Sequence, residues 1–214
     1  MIIIFRHLLK RMVNKEGKFI VFEGIDGSGK GTQIKKLKEF LEQTGVKTLV
    51  TCEHTRDLPV GRLIETTLNG GEKIDPLSLQ ICFTADRRDH YKKVIGPALE
   101  RGEFVISDRY YGSTVAYTDD SMKQIMLDFN QNVVPKANLT FFLDVESEIA
   151  MKRIGDGRLT KTIFERIEIL ESSRKSYLWF CDKLNQEVIV IDGNKEVNII
   201  HLDIIEKLRS RQII

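Results

Sequence analysis

The chain has little of several things. It holds three cysteines in 214 residues, Cys52, Cys82 and Cys181, far apart and odd in number. No metal-ligating spacing joins them, and they suggest no disulfide framework, which suits a reducing cytoplasm. No apolar run reaches the roughly 18 residues a membrane span needs, so no membrane partner is expected. Net charge is only +2, which does not indicate a broad nucleic-acid-binding face and leaves any basic site local. No repeat, linker or low-complexity stretch divides the chain, so residues 17–214 are expected to form one domain.

Acidic residues are missing from Met1 to Lys15, which carries Arg6, Lys10, Arg11 and Lys15. The apolar start Ile2-Ile3-Ile4-Phe5 is too short for a signal core, and the serines of an organelle-targeting segment are lacking. Residues 1–16 are read as an N-terminal extension, frayed or upstream of a true start at Met12.

What is present is an alternation of short buried strands and longer helices. Lys18–Glu23, Lys47–Cys52, Phe104–Ser107, Leu139–Leu143 and Glu187–Ile191 are short, rich in β-branched or aromatic residues and flanked by helical pattern. Helices are expected over Lys30–Gln43, stopped by Gly45, and from Asp75-Pro76 to Leu99 with a break at Gly96-Pro97. Two more are expected over Thr162–Leu184 and Val197–Leu208. The pattern predicts an α/β fold, with a five-stranded parallel sheet carrying helices on both faces.

The stretch Phe19-Ile20-Val21-Phe22-Glu23-Gly24-Ile25-Asp26-Gly27-Ser28-Gly29-Lys30-Gly31-Thr32-Gln33 follows a strand and opens a helix. That is the setting of a phosphate-binding loop, and it makes this a P-loop NTPase fold. Glycines let backbone N–H groups converge on phosphate oxygens, the helix N-terminus adds partial positive charge, and Lys30 reaches the outer phosphates. Gly31 stands where a serine or threonine would hold magnesium. Magnesium keeps several waters and is held mainly by substrate phosphates, so the loop still fits ATP and Mg²⁺, with Asp108 or Asp26 as outer partners. Thr32 points about 100° away and is not expected to replace the ligand.

Asp108-Arg109 ends a buried strand at the ligand edge of the sheet. Asp108 is expected to organise metal and acceptor, and the planar fork of Arg109 to bind an anionic acceptor. No Asn-Lys-x-Asp signature occurs, which counts against a GTPase. The helical region between the second and third strands offers room for an acceptor, and Lys152–Arg166 is a candidate lid. These features favour a small kinase over a transport or repair ATPase.

These residues resemble the thymidylate kinases, which phosphorylate dTMP to dTDP with ATP. The phosphate loop is similar to theirs, as are Phe83-Thr84-Ala85-Asp86-Arg87-Arg88-Asp89-His90, Asp108-Arg109-Tyr110-Tyr111-Gly112-Ser113-Thr114-Val115-Ala116-Tyr117 and Leu139-Thr140-Phe141-Phe142-Leu143-Asp144-Val145. The resemblance runs from about Gly17 onward and takes in a helix bearing Arg174 and Tyr177.

The resemblance implies site roles. Gly24 to Thr32 would hold ATP; Phe83 would stack on thymine and Arg87 would hydrogen-bond it, with Arg88 as the alternative. Arg109 would hold the acceptor phosphate, Asp26 would position the sugar or reacting phosphates, Thr114 would sit near the base, and Tyr117 would disfavour a ribose hydroxyl. No basic residue lies inside the loop, which implies a lid cation, with Arg158 first and Arg153 and Lys161 behind it. A homodimer through helices is also implied. The segment Cys52-Glu53-His54-Thr55-Arg56 departs from the usual Arg-Glu-Pro; Arg56 is expected to restore positive charge near the acceptor phosphate, and Glu53 to bind substrate. Thr118 stands where many bacterial members carry glutamine. The other readings are a monophosphate kinase of different base choice and a non-catalytic P-loop binding module.

Overall fold

The computed structural model describes residues 17–71, 73–155, 167–184 and 188–214. The expected extension over residues 1–16 lies outside them, as do Arg158 and Lys161.

Five strands, β1 (Lys18–Glu23), β2 (Thr48–Cys52), β3 (Phe104–Asp108), β4 (Leu139–Asp144) and β5 (Val188–Asp192), form one sheet in the order β2-β3-β1-β4-β5. Every pairing is parallel, with Phe22 and Cys52 both opposite Asp108 and Asp144 opposite Asp192. The chain leaves central β1 toward β2 and β3, then crosses to β4 and β5. That reversal opens a crevice at the carboxyl ends of the strands, where ligands bind in such sheets.

Helices α1 (Lys30–Gln43) and α9 (Val197–Ser210) cover one face of the sheet. There Ile20, Phe22, Ile106 and Phe141 pack on Ile34, Leu37, Ile204 and Leu208. The alternating side chains Phe19, Val21, Val105 and Phe142 point to the other face. That face is covered by residues of α4 (Gly96–Glu100), α5 (Tyr111–Ala116), α6 (Lys123–Val133), α7 (Ser147–Gly155) and α8 (Ile167–Leu184). Two further helices, α2 (Pro59–Leu68) and α3 (Pro76–His90), lie between β2 and β3 in the chain.

Most expected limits hold to within a residue. β2 begins at Thr48; Lys47 just before it still accepts from Phe104 N–H at 2.8 Å, and its Nζ pairs with Glu103 Oε1 at 2.6 Å. β3 and β4 each run one residue further, to Asp108 and Asp144. At the start of α3 the Asp75 carboxylate accepts from Ser78 N–H at 2.9 Å, and Pro76 occupies the first turn.

The expected break at Gly96-Pro97 is not there. The chain stays helical through a π-turn at Tyr91–Ile95, and Pro97 falls in the first turn of α4, where its missing N–H has no partner to lose. Of the expected lid, Lys152 and Arg153 belong to α7, and residues 156–166 lie outside the described residues. Helices α2, α5, α6 and α7 were not anticipated from the sequence pattern.

Candidate active site

The glycine loop bridges β1 and α1. Gly27 has φ +80°, and a Cβ there would lie 2.4 Å from the Ala150 carbonyl oxygen, so only glycine lets α7 pack onto the loop. Gly29, at φ +93°, caps α1 without a side chain. Lys30 is the first helical residue, and its Nζ curls back to donate to the carbonyls of Gly24 at 2.9 Å and Ile25 at 3.1 Å. Burial pushes its amine down to about 8, with Arg109 adding to the effect and Asp108 opposing it. The Ile25 side chain is buried in the core, so only its backbone faces the loop.

Two adjoining clefts open at the carboxyl edge of the sheet. The first, about 690 Å³, is lined by Asp26, Gly27, Gly29, Lys30, Gly31, Thr32, Asp108, Arg109 and Arg153. The second, about 320 Å³, is lined by Asp26, Glu53, Arg56, Phe83, Arg87, Arg109, Thr114 and Tyr117, together with His54 and Gln80. All the described acceptor-side residues expected from the sequence meet there. Asp26 and Arg109 belong to both clefts.

Arg109 is held in place from several sides. Its φ is +73°, unusual for a side chain of this size, and its N–H donates to Phe22 O at 2.8 Å. Nη1 donates to Gly24 O at 3.1 Å, Ser113 Oγ at 3.1 Å and Tyr177 OH at 3.0 Å, and Nη2 donates to Asp26 Oδ1 at 2.5 Å. Tyr117 also hydrogen-bonds this guanidinium, so the side chain is fixed facing both clefts.

Behind this arginine lies a residue the sequence reading missed. Glu23 is fully buried and accepts from Tyr110 N–H, Ser113 N–H, Ser113 Oγ and Tyr177 OH at 2.7–3.1 Å. Burial pushes its carboxyl up, while Ser113, Arg109 and Tyr110 pull it down. Ser113 and Tyr177 stand between Glu23 and Arg109. A carboxylate accepts and a guanidinium donates, so both hydroxyls turn their protons to Glu23 and their lone pairs to Arg109. The available signal was a glutamate closing the apolar strand Lys18-Phe19-Ile20-Val21-Phe22-Glu23.

Arg87 is 1% exposed and multiply bonded. Nε donates to Glu53 Oε2 at 2.5 Å, Nη1 to Asn130 Oδ1 at 2.7 Å and Thr114 Oγ1 at 3.1 Å, and Nη2 to Tyr110 O at 3.1 Å. Four of its five N–H groups are thus engaged. Glu53, expected to bind substrate, lines both clefts and holds this arginine. Arg88 donates to Val133 O and does not line the cleft.

Asp86, also missed, ties down the loop after β2 through Thr55 N at 2.7 Å and Thr55 Oγ1 at 2.5 Å. In that loop Arg56 is exposed and lines both clefts. His54 sits edge-on to Phe83, ring centroids 5.6 Å apart, with Nε2 2.7 Å from Glu65 Oε2. The hydrogen bonds from His54 and then Asn69 hold Glu65 below the usual carboxylate range. Tyr117 faces the Arg109 guanidinium at 5.8 Å. Thr118 donates its hydroxyl to Thr114 O at 2.7 Å.

The residues present fit a divalent cation held through phosphates and water. Asp108 Oδ1 is buried without a hydrogen-bond partner among the described residues, and it lies beside the loop. A Cβ on Gly31 would meet nothing within 4 Å, so the space of the missing hydroxyl is open to water. Among the described residues no group of three His, Cys, Asp or Glu side chains gathers into a metal site.

A glycine loop with a buried lysine, a carboxylate at the end of the adjacent strand and an arginine shared by two adjoining clefts define the class: a P-loop phosphotransferase. A family model described as Thymidylate kinase matches residues 22–204. The chain is 38% identical over 205 residues to a probable thymidylate kinase of Methanococcus aeolicus, covering 92% of this chain and 98% of that one. It is 35% identical over 199 residues to one from Methanosarcina acetivorans, covering 90% and 95%. The solved thymidylate kinase of Ehrlichia chaffeensis superposes with a TM-score of 0.68 at 28% identity, covering 90% and 99%. That of Candida albicans shares the fold, with a TM-score of 0.78 at 24% identity, covering 92% and 93%. The chain belongs to the thymidylate kinase family.

Proposed function

We propose that the protein transfers the γ-phosphoryl group of ATP directly to the phosphate of dTMP, giving dTDP and ADP, with Mg²⁺ as cofactor. The observation that carries this reading is the Asp26–Arg109 pair on the wall common to both clefts. A group there touches donor and acceptor phosphates at once, which is what in-line transfer needs.

ATP lies over Gly24–Thr32, with backbone N–H groups and Lys30 on its phosphates. Phosphate takes over the bonds that Lys30 makes to Gly24 and Ile25. The acceptor places its base between Phe83 and Arg87 and its phosphate against Arg109, with Arg56 adding charge. Tyr117 packs on the sugar. Bound Mg²⁺ neutralises charge on the phosphoryl oxygens, and Asp108 orients its waters. Arg158, outside the described residues, is our candidate for the cation that closes over the transferring group, with Arg153 in the donor cleft as the described alternative. We further infer a single catalytic domain over residues 17–214, a homodimer through helices and a cytoplasmic site of action. The low cysteine content supports the last.

A coupled ADP-release assay with dTMP, dUMP, dCMP and dGMP tests the reading. Preferred turnover of dTMP is expected. Preference for another monophosphate would give the acceptor cleft to a different base, and no turnover with any would leave a nucleotide-binding module.

A further inference from the structure

The side chain of Gln80, on the acceptor cleft, has no partner among the described residues. Gln80 lies on α3 three residues before Phe83 and seven before Arg87, on the helix face that lines the cleft. It is 5% exposed. Its backbone carbonyl accepts from Thr84 Oγ1 at 3.1 Å, but its carboxamide bonds to no described residue. Polar groups around it are matched: Glu53 to Arg87, Glu65 to His54 and Asn69, Thr114 to Arg87. Its amide atoms are not among the sealed, unpartnered polar atoms; they open onto the cleft, where a ligand can take up their bonds.

We propose that Gln80 hydrogen-bonds the base of the acceptor nucleotide and sets base specificity jointly with Arg87. The inference rests on the second cleft being the acceptor site. Arg87 has one N–H left, and an arginine only donates, so the base must offer it a carbonyl. Gln80 offers one acceptor and two donors on adjacent atoms. The imide edge of thymine is complementary: its ring N–H donates to Oε1, and a flanking carbonyl accepts from Nε2. Cytosine carries an amine in place of one carbonyl and a bare nitrogen in place of the ring N–H. Gln80 alone can rotate its amide to suit cytosine; Arg87 cannot turn into an acceptor. The pair therefore selects an imide, a distinction neither residue makes alone.

The test is steady-state kinetics on the full chain with ATP and dTMP, dCMP or N3-methyl-dTMP, for the wild type, Gln80→Met and Gln80→Glu. In Gln80→Met, KM for dTMP rises about tenfold or more, while kcat stays within roughly threefold and KM for ATP is unchanged. N3-methylation removes the ring N–H, so it costs the wild type a similar factor but Gln80→Met little. That non-additivity is a readout that loose packing does not produce. Gln80→Glu keeps an acceptor for the ring N–H, and its KM for dTMP falls between the other two. Wild-type KM in Gln80→Met, or equal methylation penalties in both proteins, overturns the role of Gln80 and leaves the cleft assignment standing. If Gln80→Met does not fold, an unpenalised N3-methyl-dTMP in the wild type overturns the role by itself. Absence of wild-type turnover with every monophosphate overturns the cleft assignment, and this inference with it.

Discussion

Asp26 and Arg109 are ion-paired, Oδ1 to Nη2 at 2.5 Å, on the wall shared by the donor and acceptor clefts. Asp26 comes from the glycine loop and Arg109 from the end of β3, so the pair locks the loop to the acceptor side. Arg109→Ala is expected to lower kcat/KM for dTMP by about a hundredfold or more, since a charged donor among phosphates contributes about 3 kcal/mol or more. Arg109→Lys recovers little of this, because one ammonium cannot keep the bonds to Gly24, Ser113, Tyr177 and Asp26 and also meet phosphate. Wild-type kcat/KM in either variant, in the same coupled assay, would contradict the assignment.

Lys30 links nucleotide binding to protons. Its amine sits at about 8 without ligand, lowered chiefly by burial. Phosphate favours the charged form, so binding raises that value again. Between about 8 and the ordinary lysine range near 10.4, ATP binding is then expected to take up a proton. Calorimetry at pH 9 in two buffers of different ionisation enthalpy measures this uptake; at pH 6.5 the lysine's share vanishes. The folded free protein binds fewer protons at Lys30 than the unfolded chain over the same window. The stability contribution of Lys30 therefore rises with pH from about 8 to about 10.4. Lys30→Met should remove the pH 9 uptake, and a zero uptake in the wild type would refute the placement of this amine.

Glu53 and Arg87 are 2% and 1% exposed and bonded at 2.5 Å. Removing one member of such a pair strands the other charge. Glu53→Ala is expected to lose about 3–5 kcal/mol of stability, read from denaturant unfolding. Glu53→Gln keeps a hydrogen-bond acceptor and loses less, yet it leaves Arg87 less firmly aimed, so KM for dTMP rises while KM for ATP does not. A rise in both would mean that the pair serves the fold alone.

How much of this was legible depends on how far apart the cooperating residues lie. The glycine loop is local: strand, turn and helix follow one another over residues 18–43, and their pattern is readable. The start of α3 was equally plain from Asp75-Pro76. Glu23, Ser113 and Tyr177 come from β1, α5 and α8, and Arg109 from the connection between β3 and α5, and no periodicity joins the three regions. Asn130, which aims Arg87 from α6, and Asp86, which pins Thr55, are hidden for the same reason. Helices α5 and α6 lack a side-chain cap at their starts. Tertiary packing, more than local propensity, holds them, and sequence pattern reports that poorly.

The candidate lid cation is separable from the binding residues by kinetics. An arginine that meets charge only in the transition state lowers kcat and kcat/KM together when removed, with little change in KM. Arg158→Ala is expected to lose about a thousandfold in kcat, the lower end of what an arginine finger contributes. Arg153 donates to Gly193 O at 3.0 Å and lines the donor cleft, so Arg153→Ala should act more on KM for ATP. Near-wild-type turnover in Arg158→Ala, with a large kcat loss in Arg153→Ala, would exchange the two roles.

Gly31 offers a gain-of-function test of how the metal is held. A Cβ there meets nothing within 4 Å, and the residue is not among those with a left-handed backbone. Gly31→Ser is therefore free of strain, and replacing a helical glycine should add a few tenths of a kcal/mol of stability. The new hydroxyl lies beside Lys30, where the residue after the lysine touches magnesium directly in ordinary phosphate loops. One such bond, at about 1 kcal/mol, should lower the Mg²⁺ concentration for half-maximal activity about fivefold and leave saturated kcat nearly unchanged. If the metal sits where the serine cannot reach it, the Mg²⁺ titration will not move. A titration that moves the other way would mean that the serine displaces a water that the metal needs.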